Sequence, residues 1–126
     1  MAIVKTKEQK AEEVQNIIDQ STGTEHYYPH FLGLKMTDGV YGVANAAGAH
    51  WLVDIVASYQ TKPEIKKCGF QVWELKVGDD NKAVVTMKED KDEPILIKQD
   101  IPYTNFPLRE FSMWLIDGIL ILPGEY

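Results

Sequence analysis

The chain has 126 residues, 44% of them hydrophobic and 25% charged, which is the composition of a single globular domain. The 19 acidic and 13 basic residues give a formal net charge of −6, and the basic residues include one arginine, Arg109. Because binding to a nucleic-acid backbone depends on Lys and Arg, direct phosphate binding to nucleic acid is not expected.

The sequence shows no sign of export or of membrane insertion. Residues 1–8 lack the apolar segment of a signal peptide, and no run approaches the ~18 apolar residues of a membrane span. We therefore expect a cytoplasmic protein that has no membrane partner. The one cysteine, Cys68, cannot form an internal disulfide, and the adjacent Lys66 and Lys67 can lower its pKa a little.

Residues 5–20 have the pattern of an amphipathic helix, because their apolar residues recur at helical spacing: Ala11, Val14, Ile17 and Ile18. Residues 24–36 show no regular pattern, and Pro29 favours an extended conformation of Tyr28. His26 and His30 are therefore not expected to share a helical face, although they are four positions apart.

A helical pattern returns near residue 39 and continues to about residue 60. Thr37 or Asp38 is the predicted N-cap, since either side chain can accept a hydrogen bond from the first turn. We expect Gly48 to divide the segment into two helices, because an interior glycine costs about 1 kcal/mol relative to alanine. One long helix with a close backbone neighbour at Gly48 is the alternative.

The second half of the chain has the pattern of β-structure. Strands are predicted over residues 70–77, 83–87 and 95–101, with polar segments between them. The clearest local signal is Asp117-Gly118 between the apolar runs 113–116 and 119–122, because Asp-Gly is a favoured hairpin turn. Both arms are apolar, so the hairpin is expected either to be covered on both faces or to lie centrally in the sheet.

Together these elements predict an α+β fold in one domain over residues 1–126. The N-terminal helices are expected to pack on one face of an antiparallel sheet of about five strands. The fold is expected to end in the β-hairpin.

Five sequence blocks carry a resemblance to a known family: Thr37-Asp38-Gly39-Val40, Ala47-Gly48-Ala49-His50-Trp51-Leu52-Val53-Asp54, Phe70-Gln71-Val72-Trp73-Glu74-Leu75, Tyr103-Thr104-Asn105-Phe106-Pro107-Leu108 and the tail from Trp114 to Tyr126. Together they resemble small bacterial proteins that are known only as a domain of unknown function. The resemblance covers about residues 23–126 and leaves the helix in residues 1–22 outside it. It implies a compact single domain and an origin in bacteria, plasmids or other mobile elements, and it implies no activity or site residue.

One candidate binding site lies in the low-charge stretch that begins at residue 26. Its residues are His26, Tyr27, Tyr28, His30 and Phe31. Such side chains recur in recognition loops because they combine apolar area with a polar tip. Packing of the loop onto the core is the alternative interpretation.

A candidate metal site involves His50 and Asp54, which are four positions apart and would share one face of a helix. With His26 or His30 as a third ligand they could hold a divalent metal ion. The alternative is a hydrogen bond between the aspartate and the histidine that closes the helical layer. No cofactor is predicted.

The sequence contains no Gly-rich phosphate loop, no nucleophile elbow and no paired-cysteine metal motif, which favours a function without catalysis. We predict a non-catalytic protein-binding module which, if it comes from a phage or plasmid, acts on a host complex. Two alternatives stay open. One is a small metal-dependent enzyme that uses His50 and Asp54, and the other is a protein that self-associates through the apolar stretch or the last hairpin.

Overall fold

The structure, a computed structural model, describes residues 6–30 and 33–126. The described residues form four α-helices: α1 (Lys7–Gln20), α2 (Asp38–Ala47), α3 (His50–Tyr59) and α4 (Pro63–Lys66). They also form seven strands: β1 (Tyr27–Pro29), β2 (Lys35–Thr37), β3 (Phe70–Val77), β4 (Ala83–Lys88), β5 (Ile95–Ile101), β6 (Glu110–Ile116) and β7 (Ile119–Ile121). A 3₁₀ helix over Pro123–Glu125 follows β7. None of these helices is long and apolar enough to cross a membrane.

The helix ends follow from local chemistry. Thr6 caps α1, because its Oγ1 accepts a hydrogen bond of 3.1 Å from Gln9 N while the Gln9 side chain accepts one of 2.8 Å from Thr6 N. Thr37 caps α2 by accepting from Val40 N. Gly48 ends α2 with a φ of 63°, in the left-handed region that glycine adopts without strain. The predicted division into two helices at Gly48 is therefore confirmed.

The strands form one seven-stranded sheet in the order β1-β2-β7-β6-β3-β4-β5. Neighbouring strands are antiparallel except β2 and β7, which run parallel, so the sheet is mixed. The prediction of about five antiparallel strands matches β3 to β7 and misses the other two. β1 and β2 have three residues each, which is too short for the alternation of side chains to be recognised in a sequence.

The last hairpin has the geometry that its turn residues predict. Asp117 and Gly118 both have positive φ, 49° and 84°, as a type I′ turn requires. β6 is the middle strand of the seven, so the hairpin lies centrally in the sheet, as expected. The fold does not end there, because the 3₁₀ helix follows.

The helices pack on one face of the sheet. The hydrophobic core joins residues of all four helices to every second residue of the long strands, among them Trp73, Leu75, Val85, Met87, Met113 and Leu115. Val72 and Ile121 are also buried but point to the opposite face, and they lie outside this core. The described helices therefore cover an inner face of the sheet and leave its outer face open.

Candidate functional site

The predicted binding residues lie at one edge of the sheet, in and around β1. His26 and Tyr27 are exposed, and Tyr27 keeps 52% of its surface accessible. Tyr28 and His30 are partly buried and contact the helices. Phe31 lies outside the described residues. The structure thus presents His26 and Tyr27 to solvent and uses Tyr28 and His30 for packing.

An aromatic stack joins β1 to the helices. The rings of Tyr28 and Tyr41 are parallel, with centroids 4.0 Å apart and an interplanar angle of 5°. Tyr41 in turn meets the ring of His50 edge-on at 5.9 Å. His50 Nε2 lies 2.7 Å from Asn45 Oδ1. Part of the aromatic character of this stretch therefore serves to hold β1 against α2 and α3.

His30 and Asp54 form a hydrogen-bonded pair. His30 Nε2 lies 2.6 Å from Asp54 Oδ1, and the His30 side chain is only 7% exposed. Asp54 and His50 share a face of α3, but they bind different partners. Within residues 6–30 and 33–126, no three His, Cys, Asp or Glu side chains are grouped closely enough to hold a metal ion. The described side chains therefore do not assemble the predicted ligand set.

Hydrogen bonds of Asp38 connect the segment before β1 to the start of α2. Its Oδ2 accepts hydrogen bonds from Glu25 N at 2.9 Å and from His26 N at 3.3 Å, and its own N–H donates to Thr24 Oγ1 at 3.0 Å. The bond from Glu25 N is the main reason why the pKa of the Asp38 carboxyl lies below its usual value. A hydrogen bond to the same carboxylate raises the pKa of the Tyr28 phenol.

The lowered pKa of Asp38 predicts an acid-sensitive contact. A carboxyl with a lower pKa in the folded state stabilises the fold above its unfolded value of 3.8, and this contribution is lost as the pH falls through the folded pKa. Asp38→Asn should therefore be less stable than the wild type at neutral pH and should lose less stability on acidification. Urea unfolding between about pH 7 and pH 2 measures both effects. Asp92→Asn, in an exposed loop, is the control, and equal pH dependence of the Asp38→Asn variant and the wild type would contradict the prediction.

A cavity of about 530 Å³ lies between the end of α3, the segment after α4 and the hairpin turn, and Gln60, Cys68 and Gln71 line it. The Gln71 amide is already bonded to Gln60, to Trp73 and to backbone carbonyls. Burial, reinforced by Glu89, raises the pKa of the Cys68 thiol. Lys67 lowers this pKa, as expected, but burial and Glu89 outweigh its effect.

The open outer face of the sheet carries a contiguous apolar surface, which we call the outer patch. By strand register, its residues are Phe70, Val72, Trp114, Ile116, Ile119 and Ile121, and Tyr126 joins them through ring contacts. These positions belong to β3, β6 and β7, which are adjacent strands at the centre of the sheet. A sheet face in water usually carries polar side chains at such positions.

Three aromatic rings form the most prominent part of the outer patch. Trp114 lies 5.4 Å from both Phe70 and Tyr126, centroid to centroid, and Phe70 lies 6.4 Å from Tyr126. Phe70 and Trp114 are half-buried, while 79% of Tyr126 is exposed. Val72, which pairs with Trp114 across the strands, is buried, and Tyr126 presents its ring to solvent.

Outside the outer patch, this face carries charges of both signs beside the apolar Val84 and Ile95. Strand register directs three acidic side chains and four basic ones outward, a net charge of +1: Glu74, Asp100, Glu110, Lys35, Lys76, Lys88 and Lys98. Glu74 and Lys88 form an ion pair at 3.8 Å. The formal net charge of the whole chain is −6, so the residues that do not lie on the outer face have a net charge of −7.

Sequence reasoning named the last hairpin only as an alternative self-association surface, and it did not include Phe70, Val72 or Tyr126. Every residue in the runs 113–116 and 119–122 is apolar, so both faces of the hairpin had to be apolar. The structure covers one of these faces with helices and leaves the other open.

The comparison with known proteins gives the family of the chain. A family model matches residues 12–126. The chain belongs to DUF6876, a family of unknown function. The resemblance to a domain of unknown function is thus confirmed, and the DUF6876 match begins within α1, earlier than residue 23. No curated protein and no solved structure matches the chain significantly.

Proposed function

We propose that this DUF6876 protein is a non-catalytic protein-binding module and that the outer patch is its binding surface. The observation that carries the proposal is the apolar character of the outward positions on β3, β6 and β7. Contiguous apolar surface of this kind, surrounded by polar residues, is typical of protein interfaces. A protein partner that covers the patch would remove this surface from water.

The composition of the outer face supports this proposal. Residues that contribute most to binding energy are often Trp and Tyr near the centre of an interface, and the patch has Trp114 and Tyr126 in contact. Charged side chains flank this centre on both sides, on β4 and β5 and at Lys35 on β2, in the position of a polar rim. The face therefore has both parts of a protein-binding surface.

The proposed setting is the cytoplasm of a bacterium, with a phage or plasmid as the source and a host complex as the target. This part of the proposal rests on the family resemblance and on the acidity of the chain. His26 and Tyr27, at the β1 edge of the same sheet, stay a predicted second contact region.

The proposal is tested by capturing partners with the tagged protein from a lysate of its own host. Ile116→Lys and Tyr126→Ala alter the outer patch, and Leu96→Lys and Tyr103→Ala are their matched controls. Leu96 is 45% exposed on the edge strand β5, where it lines a cavity with Tyr59 and Ile65 of the helical layer, and Tyr103 is 68% exposed in the loop after it. A lysine at position 116 can extend its charged end into water, so the fold should tolerate the change.

We expect each patch variant to capture at least about tenfold less partner than the wild type. Tyr126→Ala truncates a side chain of the interface, and Ile116→Lys places a charge in it. The two controls should capture as much as the wild type. Full capture by both patch variants would disprove the proposal. If Tyr27→Ala alone abolishes capture, the binding surface lies at the β1 edge instead.

A further inference from the structure

We infer that the partner of the outer patch is a second copy of this chain, packed sheet against sheet to form a symmetric dimer. The inference rests on the proposed function, because it names the occupant of the same surface, and it leaves the exposed edge at His26 and Tyr27 for the host complex. Three features of the outer face lead to it, namely its position in the sheet, its charge and its size.

The patch lies where a two-fold axis can pair it with itself. Trp114 is on β6, the fourth of seven strands, so the patch is central in the strand order and lies toward the hairpin end of these strands. An axis near Trp114 brings the Phe70, Trp114 and Tyr126 rings of one copy against those of the other. Two identical sheets have the same twist, so their faces fit at the angle of about 30° that is common in β-sandwiches.

The charge distribution also favours a second copy on this face. Two chains of −6 repel each other, and the repulsion is greatest where their acidic residues meet. The net charge is +1 on the outer face and −7 on the rest of the chain. Two copies therefore repel each other least when they approach through their outer faces. Glu74 and Lys88, both on this face, show that it offers partners for charges of either sign.

The outer face approaches the area that a standard dimer interface buries. With a spacing of ~4.8 Å between strands and ~3.3 Å per residue, the four long strands cover roughly 450 Å² as a flat surface. The area increases further with β7 and β2 and because side chains make the surface uneven. It then approaches the ~800 Å² that each partner buries in a standard interface.

The test is sedimentation velocity on the complete chain at concentrations from about 1 to 100 µM. We expect a mass of twice 14.3 kDa at the upper end. Ile116→Lys should raise the dimer Kd by about 100-fold or more, because symmetry places the change in the interface twice, and Tyr126→Ala should raise it by about tenfold. Leu96→Lys and Tyr103→Ala should leave the Kd unchanged.

Added salt should lower the dimer Kd, since it screens the repulsion between acidic surfaces.

Thermal unfolding of each variant shows that a loss of dimer is not a loss of fold. If the protein is a monomer at every concentration, the inference that a second copy binds the outer patch is wrong. If Ile116→Lys then still abolishes capture of a different protein, the proposed function stands without this inference. A dimer that survives both patch variants, or that dissociates on Leu96→Lys instead, overturns the outer patch as the dimer interface.

Discussion

Replacing Gln71 with leucine should lower the free energy of unfolding by about 3–5 kcal/mol. Gln71 is 1% exposed, and its Oε1 accepts hydrogen bonds of 2.9 Å from Trp73 Nε1 and from Gln60 Nε2. Its Nε2 donates to Gln60 Oε1 and to the carbonyls of Ile65 and Cys68. Leucine has a similar volume but removes this partner from the buried Trp73 Nε1 and the other groups, and a buried polar group that loses its hydrogen bond is costly.

Urea unfolding measures this effect, and Gln99→Leu is the matched control. Gln99 is half-buried and accepts one hydrogen bond of 2.9 Å from Tyr59 Oη, so its replacement should cost only about 1 kcal/mol. Trp73→Phe removes the indole donor, and its effect should not add to that of Gln71→Leu. A cost for Gln71→Leu no larger than that for Gln99→Leu would show that the network contributes little.

Gly39→Ala should destabilise the protein by about 2–4 kcal/mol, although alanine is the better helix former by about 1 kcal/mol. A methyl group on Gly39 would lie 2.6 Å from Glu125 Oε1 and 2.7 Å from Leu122 Cδ1. Neither atom can move away easily, since Glu125 Oε1 accepts from Thr37 Oγ1 at 2.7 Å and Leu122 is 1% exposed. The substitution thus separates the start of α2 from the 3₁₀ helix.

Gly23→Ala is the control, because a methyl group there meets nothing within 4 Å and should change stability by less than about 0.5 kcal/mol. Glu125→Ala removes one of the two obstructing side chains, so it should cost less in the Gly39→Ala background than in the wild type. If Gly39→Ala raises the unfolding midpoint instead, the close packing of α2 on the 3₁₀ helix is wrong.

The elements that were predicted correctly depend on local chemistry. The Asp117-Gly118 turn needs only two residues that tolerate positive φ, and Gly48 needs only to end one helix. The period of the side chains marks β3 and β5, which have eight and seven residues. The residues of each such pattern lie within a few positions of one another, so the pattern can be recognised without knowledge of the rest of the fold.

The missed elements depend on residues far away in the chain. β2 is a strand because Lys35 and Met36 pair with Ile119 and Leu120, more than 80 positions later. β1 exists because it pairs with β2. Likewise, the spacing of four between His50 and Asp54 suggested a shared partner, but Asp54 binds His30 and His50 binds Asn45. The position of a partner in space decides these contacts, and spacing within one helix does not reveal it.

The sequence by itself determined the α+β class, the helix division at Gly48, the hairpin and the apolar character of both faces of its arms. Only the tertiary structure decided which of those faces is covered. The helices contribute apolar surface to one side of the sheet, where Val40, Val53 and Val56 meet Met113 and Leu115 in the core. A strand directs successive side chains to opposite faces, so Trp114 and Ile116 had to point away from that core and form the outer patch.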